Sequence, residues 1–305
     1  MRRITLLFII LYSINSTFGL AQTNLHSFLK PSDTINPKRL KVVIGTEAIM
    51  TSSALIGLNQ LWYADYAHSS LHSVNDNDEW LQMDKAGHLF SSYHLSAFGT
   101  NALQWSGCSK KNKLIYGSTI GLAFLSAVEV MDGYSAEWGF SWGDMAANTS
   151  GIALYVSQEL LWKEQRIVPK FSFHTTQYAG LRPNVLGSNL SQQILKDYNG
   201  QTYWLSANVN SFFKPSKLPK WMNIAIGFGA DGMTNGRNEN NSLFSSIETK
   251  KSRQFYLSFD ADLTKIHTKS HFLKTFFTVF NSIKIPAPTL EINGSQGIKF
   301  YYLYF

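Results

Sequence analysis

A change of periodicity near residues 166–170 constrains this chain most. Before it, apolar residues run on through stretches of helical length; after it, they alternate with polar ones. Long runs fit helices, and alternation fits strands with one apolar face. The sequence therefore predicts an α+β chain, a four-helix N-terminal unit followed by an antiparallel β region. Charge changes at the same place. Residues 1–166 hold 12 Lys/Arg against 13 Asp/Glu, whereas residues 167–305 hold 15 against 7.

The first residues read as an export signal. Arg2 and Arg3 precede an apolar run over 4–12, and Gly19-Leu20-Ala21 is a small-x-small cleavage site. This is the pattern of a secretory signal peptide over 1–21. It leaves a helical region over 22–168 and a β region over 169–305. The expected address is the cell envelope, either the outer membrane or the periplasmic side of a membrane. The sole cysteine, Cys108, excludes an internal disulfide framework and a Cys-based zinc cluster. No cysteine follows the apolar run, which argues against a lipid anchor there. A net charge of +7 raises the question of nucleic acid. The basic residues are dispersed and form no DNA-binding motif, and export puts the chain in the wrong compartment, so nucleic acid is excluded as a partner.

The predicted helices cover 42–62, 84–105, 114–132 and 142–162. Each is about 30 Å long at 1.5 Å per residue, the thickness of a bilayer core. Trp62, Trp80, Trp105, Trp142 and Trp162 lie at or near their ends, as in an aromatic belt. Gly117, Ser118, Gly121, Ala123, Ser126 and Ala127 permit close helix approach. Each helix also carries polar breaks, among them Glu47, Asn59, His94, Asn101 and Gln158. Two readings stay open, helices crossing lipid and a bundle whose apolar faces meet one another.

Chemistry-bearing residues concentrate at predicted helix ends. The second helix opens with Asp84-Lys85-x-x-His88 and continues to Tyr93. The third ends in Glu129-x-x-Asp132, and the fourth opens with Asp144-x-x-x-Asn148-x-x-Gly151. Positions three or four apart share a helix face. If consecutive helices run antiparallel, these residues gather at one end of the bundle. Neighbouring carboxylates beside a histidine form a candidate acid/base site. The expected catalytic groups are Asp84, His88 and Glu129, supported by Lys85, Tyr93, Asp132, Asp144 and Asn148. No cofactor is expected. The one candidate ligand is a divalent metal at Asp84, His88, Glu129 and Asp132, where oxygen and imidazole donors suit zinc or manganese. The plainer reading makes Asp84 a helix N-cap and Ser141-x-x-Asp144 a capping box.

The order D-K-x-x-H-x-x-x-x-Y, an acidic helix end and D-x-x-x-N-x-x-G resembles the VanZ-like family of small helical membrane proteins. Glu129-x-x-Asp132 departs from the usual Glu-x-x-Gln. The resemblance covers residues 40–162. The wider sequence, notably 75–88 and 137–144, resembles the YfiM-like family of exported envelope proteins, mainly described as predicted periplasmic lipoproteins. Neither family implies an established reaction.

Other patterns are set aside. Residues 75–79 lack the spacing and glycine of an EF-hand and read as a solvated turn. Gly227-x-Gly229-x-x-Gly232 spells a dinucleotide fingerprint but leads into a Gly/Asn-rich loop, not a helix. No G-x-S-x-G elbow is present.

The predicted strands are 170–178, 202–213, 221–230, 254–264, 272–285 and 298–305. In the fourth, Phe255, Leu257 and Phe259 alternate with Tyr256, Ser258 and Asp260. Such strands fit a partial or complete barrel or a soluble sheet, and the aromatic last strand resembles the closing strand of outer-membrane barrels. The expected function is a membrane-associated envelope component with a structural role or a contact to membrane lipid or envelope glycan. The alternative is an enzyme acting on an envelope lipid or cell-wall precursor. Oligomeric state is left open.

Overall fold

Capping residues set where the helices begin. Asn36 Oδ1 accepts from Lys38 N and Arg39 N, both at 3.1 Å, and Pro37 occupies the first turn, where no donor is needed. Helix α1 (Pro37–Leu58) follows and ends in a π-helical turn, Asn59–Tyr63. Ser109 caps α3 (Lys110–Gly133) and Ser141 caps α4 (Trp142–Leu161) by accepting the backbone N–H three residues on. Between α1 and α3 lies α2 (Met83–Trp105). The computed structural model describes residues 25–64, 66–213, 217–236, 250–294 and 297–305. The expected signal peptide lies outside them. The four expected helices are all present.

Helix α2 is the centre of the bundle, flanked by α3 and α4. Small residues bring the backbones together. A Cβ on Gly117 would meet the backbone of Gly99 and Thr100, and one on Gly151 would meet Leu89 O and Ser92 Oγ. Ser96 Oγ donates across the interface to Ser118 O at 2.8 Å. Helix α1 is different. Among the described residues, it and α3 are the two helices long and apolar enough to cross a membrane, by length and composition, but only 6% of the α1 apolar window is covered.

Two short strands, β1 (Ser73–Val74) and β2 (Phe140–Ser141), pair in parallel just before α2 and α4. The large sheet is antiparallel in sequence order: β3 (Ile167–Phe173), β4 (Gln201–Asn208), β5 (Met222–Asp231), β6 (Ser252–Ala261), β7 (Ala287–Asn293) and β8 (Gly297–Tyr304). Among the described residues β3 and β8 do not pair with each other, so the barrel is not closed. The sheet is nonetheless strongly curled. Lys170 on β3 pairs with Asp260 on β6 at 2.8 Å, across two intervening strands. Tyr304 on β8 stacks on Tyr256 and its OH lies 3.3 Å from Thr202 Oγ1 on β4. The outer edge of β3 is partly covered, since Phe171 N donates to Ser282 O and Lys284 N to Phe171 O.

The curled sheet is inverted in polarity. Lys170, Ser206, Asn223, Asp260, Thr289 and Glu291 point inward and are buried. Leu205, Ile226, Leu257, Phe259, Ile292 and Phe300 point outward, between 47% and 63% exposed. Gly227 and Gly229 leave room for the Trp204 and Tyr256 rings inside the curl, so the glycines of the apparent dinucleotide fingerprint serve packing.

Two strand expectations are corrected. Residues 272–280, expected within the strand 272–285, lie in helix α5 (His271–Phe280), capped by Ser270. Phe272, Leu273, Phe276 and Phe280 recur at helical spacing, which outweighs the strand preference of aromatic residues. Strand β7 was not expected, because Pro286 and Pro288 read as breakers. The β7–β8 pairing shifts register between Ala287 and Thr289, which spares Pro288 the ladder bond it cannot donate. Bundle and sheet share a core, with Met83 fully buried against Ala230 and Met233.

Candidate functional site

The starts of α2 and α4 meet the end of α3. Lys85 Nζ is the hub, 2.9 Å from Asp84 Oδ2, 2.9 Å from Asp144 Oδ1 and 2.7 Å from Asp76 Oδ1. His88 lies one turn along α2. Its Nδ1 is 3.0 Å from Asn148 Oδ1, and its Nε2 is 3.7 Å from both Glu129 Oε1 and Asp144 Oδ1. Glu129 Oε2 accepts from Ser141 N at 3.1 Å. Asp132 accepts from Tyr63 OH at 2.8 Å.

Most of the expected residues thus converge. Tyr93 does not, for its OH donates to Gln165 Oε1 and its ring is buried beside Tyr155 and Val168. Asp84 is not an N-cap either; Gln82 holds that position without a side-chain bond, and Asp84 lies in the first turn. Asp76 is a member that the sequence reading missed, having been assigned to a solvated turn. It accepts from Ser141 Oγ at 2.6 Å as well as from Lys85. The β1–β2 pairing carries it there, and no local spacing announces that contact.

Burial and crowding set the protonation of these acids. Burial, with Asp144 beside it, pushes Glu129 up to about 8. Burial raises Asp132 to about 7 against the opposing Tyr63 bond. Burial raises Asp84 to about 6, opposed by Lys85 and reinforced by Asp144. Asp144 is also raised by burial, although His88 and Lys85 pull it down. For Asp76 burial works upward, but bonds from Lys85 and Ser141 hold it below its ordinary value. Lys85 is raised, its desolvation outweighed by the acids around it. The group can therefore hold protons at neutral pH in a place where ordinary carboxylates hold none.

The cluster floors a cleft of about 430 Å³, walled by Trp62, Trp80, Trp138, Phe90, Tyr198 and Tyr203. A smaller cavity of about 190 Å³ continues past the same three tryptophans toward Arg182 and Lys196. One wall is built on strained backbone. Trp80, Leu81 and Gln82 take left-handed φ of 47°, 53° and 69°. Each costs about 1–2 kcal/mol for an L-residue. Trp80 N donates to Gly236 O at 3.3 Å and Arg253 Nε to Gln82 Oε1 at 3.2 Å, which holds the turn. Such strain gathers at functional sites.

A family model described as predicted periplasmic lipoprotein (DUF2279) matches residues 74–159, from β1 through α4. That span contains every member of the acid cluster. The match agrees with the expected export to the cell envelope. It spans the motif residues but names neither the VanZ-like nor the YfiM-like family, and so confirms neither resemblance. The lipoprotein description meets a chain whose one cysteine, Cys108, sits between α2 and α3. No curated protein and no solved structure matches the chain.

Proposed function

We propose that the protein is a membrane-associated envelope component whose outer sheet face and helix α5 lie against lipid, and whose cleft takes a lipid headgroup or envelope glycan. The observation that carries this reading is the inverted polarity of the sheet. A sheet in water buries its apolar face; this one buries Lys170, Asp260 and Glu291 and exposes Ile226, Leu257 and Phe259. Apolar-out and polar-in alternation is the arrangement of strands in a bilayer. Helix α5 supports it, with exposed Phe272, Phe276 and Phe280 beside Lys269 and Lys274. Apolar residues flanked by basic ones suit the boundary of an anionic membrane. The aromatic walls and acidic floor of the cleft suit a ligand with flat apolar faces and hydroxyl groups, such as a sugar. Asp84, His88, Asp132 and Asp144 line that cleft.

The test is partition between buffer and vesicles of phosphatidylethanolamine and phosphatidylglycerol. The wild type should sediment with vesicles and need detergent for release. A variant carrying Ile226→Asp, Leu257→Asp and Phe259→Asp should stay in the supernatant with its circular dichroism intact. A wild type that is monodisperse in detergent-free buffer would sink the reading; a detergent-free dimer would assign the face to a second copy.

An enzymatic reading is favoured by one observation: Glu129, its pKa raised by burial, stands 3.7 Å from His88, which lines the cleft with Asp144. Asp84, His88 and Glu129 would then exchange protons with an envelope lipid or cell-wall precursor, with Asp144 and Asn148 holding them in place. Glu129→Gln should abolish turnover and leave folding unchanged. If Glu129→Gln and His88→Ala lower only abundance or stability, the enzymatic reading fails.

A further inference from the structure

Three donors in the cluster face one another across a gap that no hydrogen bond fills. His88 Nε2 is 3.7 Å from Glu129 Oε1 and 3.7 Å from Asp144 Oδ1, and the three atoms lie within 4.8 Å of one another. Neither 3.7 Å approach is a hydrogen bond. The imidazole is oriented by its other nitrogen, because Asn148 Oδ1 can only accept and so takes the Nδ1 proton at 3.0 Å. That leaves the Nε2 lone pair aimed at two carboxylates. Glu129 is 1% exposed, and its Oε1 has no donor among the described residues. A lone pair and two carboxylate oxygens facing one gap repel unless a proton or a metal cation lies between them.

We propose that His88 Nε2, Glu129 Oε1 and Asp144 Oδ1 bind one divalent cation of the zinc or manganese class. Bonds of roughly 2.0–2.2 Å place ligand atoms about 3–3.6 Å apart, so each 3.7 Å separation between His88 Nε2 and a carboxylate oxygen needs to close by only a few tenths of an ångström. Imidazole with two carboxylates suits these ions, whereas calcium and magnesium favour oxygen alone. The Asn148 bond is the outer-sphere contact that histidine ligands characteristically have. The set differs from the one expected from sequence. Asp132 is taken by Tyr63, and Asp84 by Lys85. The neighbouring acids Asp76, Asp84 and Asp144 also face one another, but the Lys85 ammonium already sits among them. Lys85 touches Asp144 Oδ1 too; it keeps Asp76 and Asp84 when an ion takes that oxygen. The open side of the ion would face the cleft. The inference does not depend on lipid contact, since metal binding is read in detergent.

The experiment uses the full chain, stripped with chelator and then titrated with zinc, manganese, calcium or magnesium. Bound metal is counted by mass spectrometry after gel filtration, and the melting temperature is followed. One zinc or manganese ion per chain is expected, with a rise in melting temperature. Glu129→Gln and His88→Gln should each weaken binding at least tenfold while Asp132→Asn binds as the wild type does. A wild type that retains no ion, or that takes only calcium or magnesium, overturns the site. So does zinc binding that survives His88→Gln, which would assign the ion to the His26–His271 pair. If Glu129→Gln fails to fold, His88→Gln gives the decision, because His88 lines the cleft and is 19% exposed.

Discussion

The His88 Nδ1–H donates to Asn148 Oδ1 at 3.0 Å, and this single bond between α2 and α4 fixes which ring nitrogen faces Glu129 and Asp144. Asn148 is fully buried. Truncating it removes the acceptor and leaves the imidazole without orientation. Asn148→Ala should cost about 1–3 kcal/mol of stability. Zinc affinity should fall about 10–100-fold. Urea unfolding and a zinc titration measure the two effects separately; a variant that loses stability but binds zinc normally would show that the bond is structural only.

Acid should weaken the fold through His94. Burial holds His94 at about 4, while its Nε2 donates to Pro169 O at 2.7 Å. The unfolded chain takes a proton on this residue below about 6.5 and the folded chain does not until about 4. Stability is therefore present above about 6.5 and is lost as pH falls through that window, by about 3 kcal/mol from this group. In His94→Phe the corresponding part of the pH dependence should vanish. Parallel curves for variant and wild type between pH 7 and 4 would contradict this.

Gly151 sets the spacing of α2 and α4. Any side chain there meets Leu89 O and Ser92 Oγ. Gly151→Leu should destabilise by about 1–3 kcal/mol through overpacking. It should also part His88 from Asn148 and lower metal uptake, although residue 151 touches neither group. Normal stability in chemical denaturation would mean that the helices are less tightly apposed than described.

Within the curled sheet, Lys170 and Asp260 form a buried pair at 2.8 Å. Removing one partner strands the other charge. Asp260→Leu alone should cost about 3–5 kcal/mol, and adding Lys170→Met should recover much of it. A double-mutant cycle on the detergent-solubilised protein gives the coupling. Simple additivity of the two losses would argue that water reaches the interior.

The helices were readable from their apolar runs; Ser141 marks the start of α4 in sequence and structure alike, whereas α3 begins at Lys110 behind the Ser109 cap, ahead of the start expected at 114. The site was readable in part, because Asp84 with His88 and Asp144 with Asn148 carry one-turn spacing that places them on shared faces. Asp76 carries no such spacing, and a two-residue parallel strand pair delivers it. Helix α5 was hidden by its phenylalanines, which read as strand content until their spacing is counted. The alternation of β6 was visible, but not which face turns inward. That depends on the curl, which pairs β3 with β6 side chains and closes around polar groups.

The wall formed by Trp80 has a consequence for the order of assembly. Its backbone is latched by Gly236, and Met83 at the base of α2 is packed by Ala230 and Met233. Those partners follow the bundle by a long stretch of chain, so the latch closes late and slowly. A nascent or newly translocated chain can form its helices first. Its acid-lined hollow then stays unroofed until the fifth strand arrives, so completion of the site reports completion of the fold.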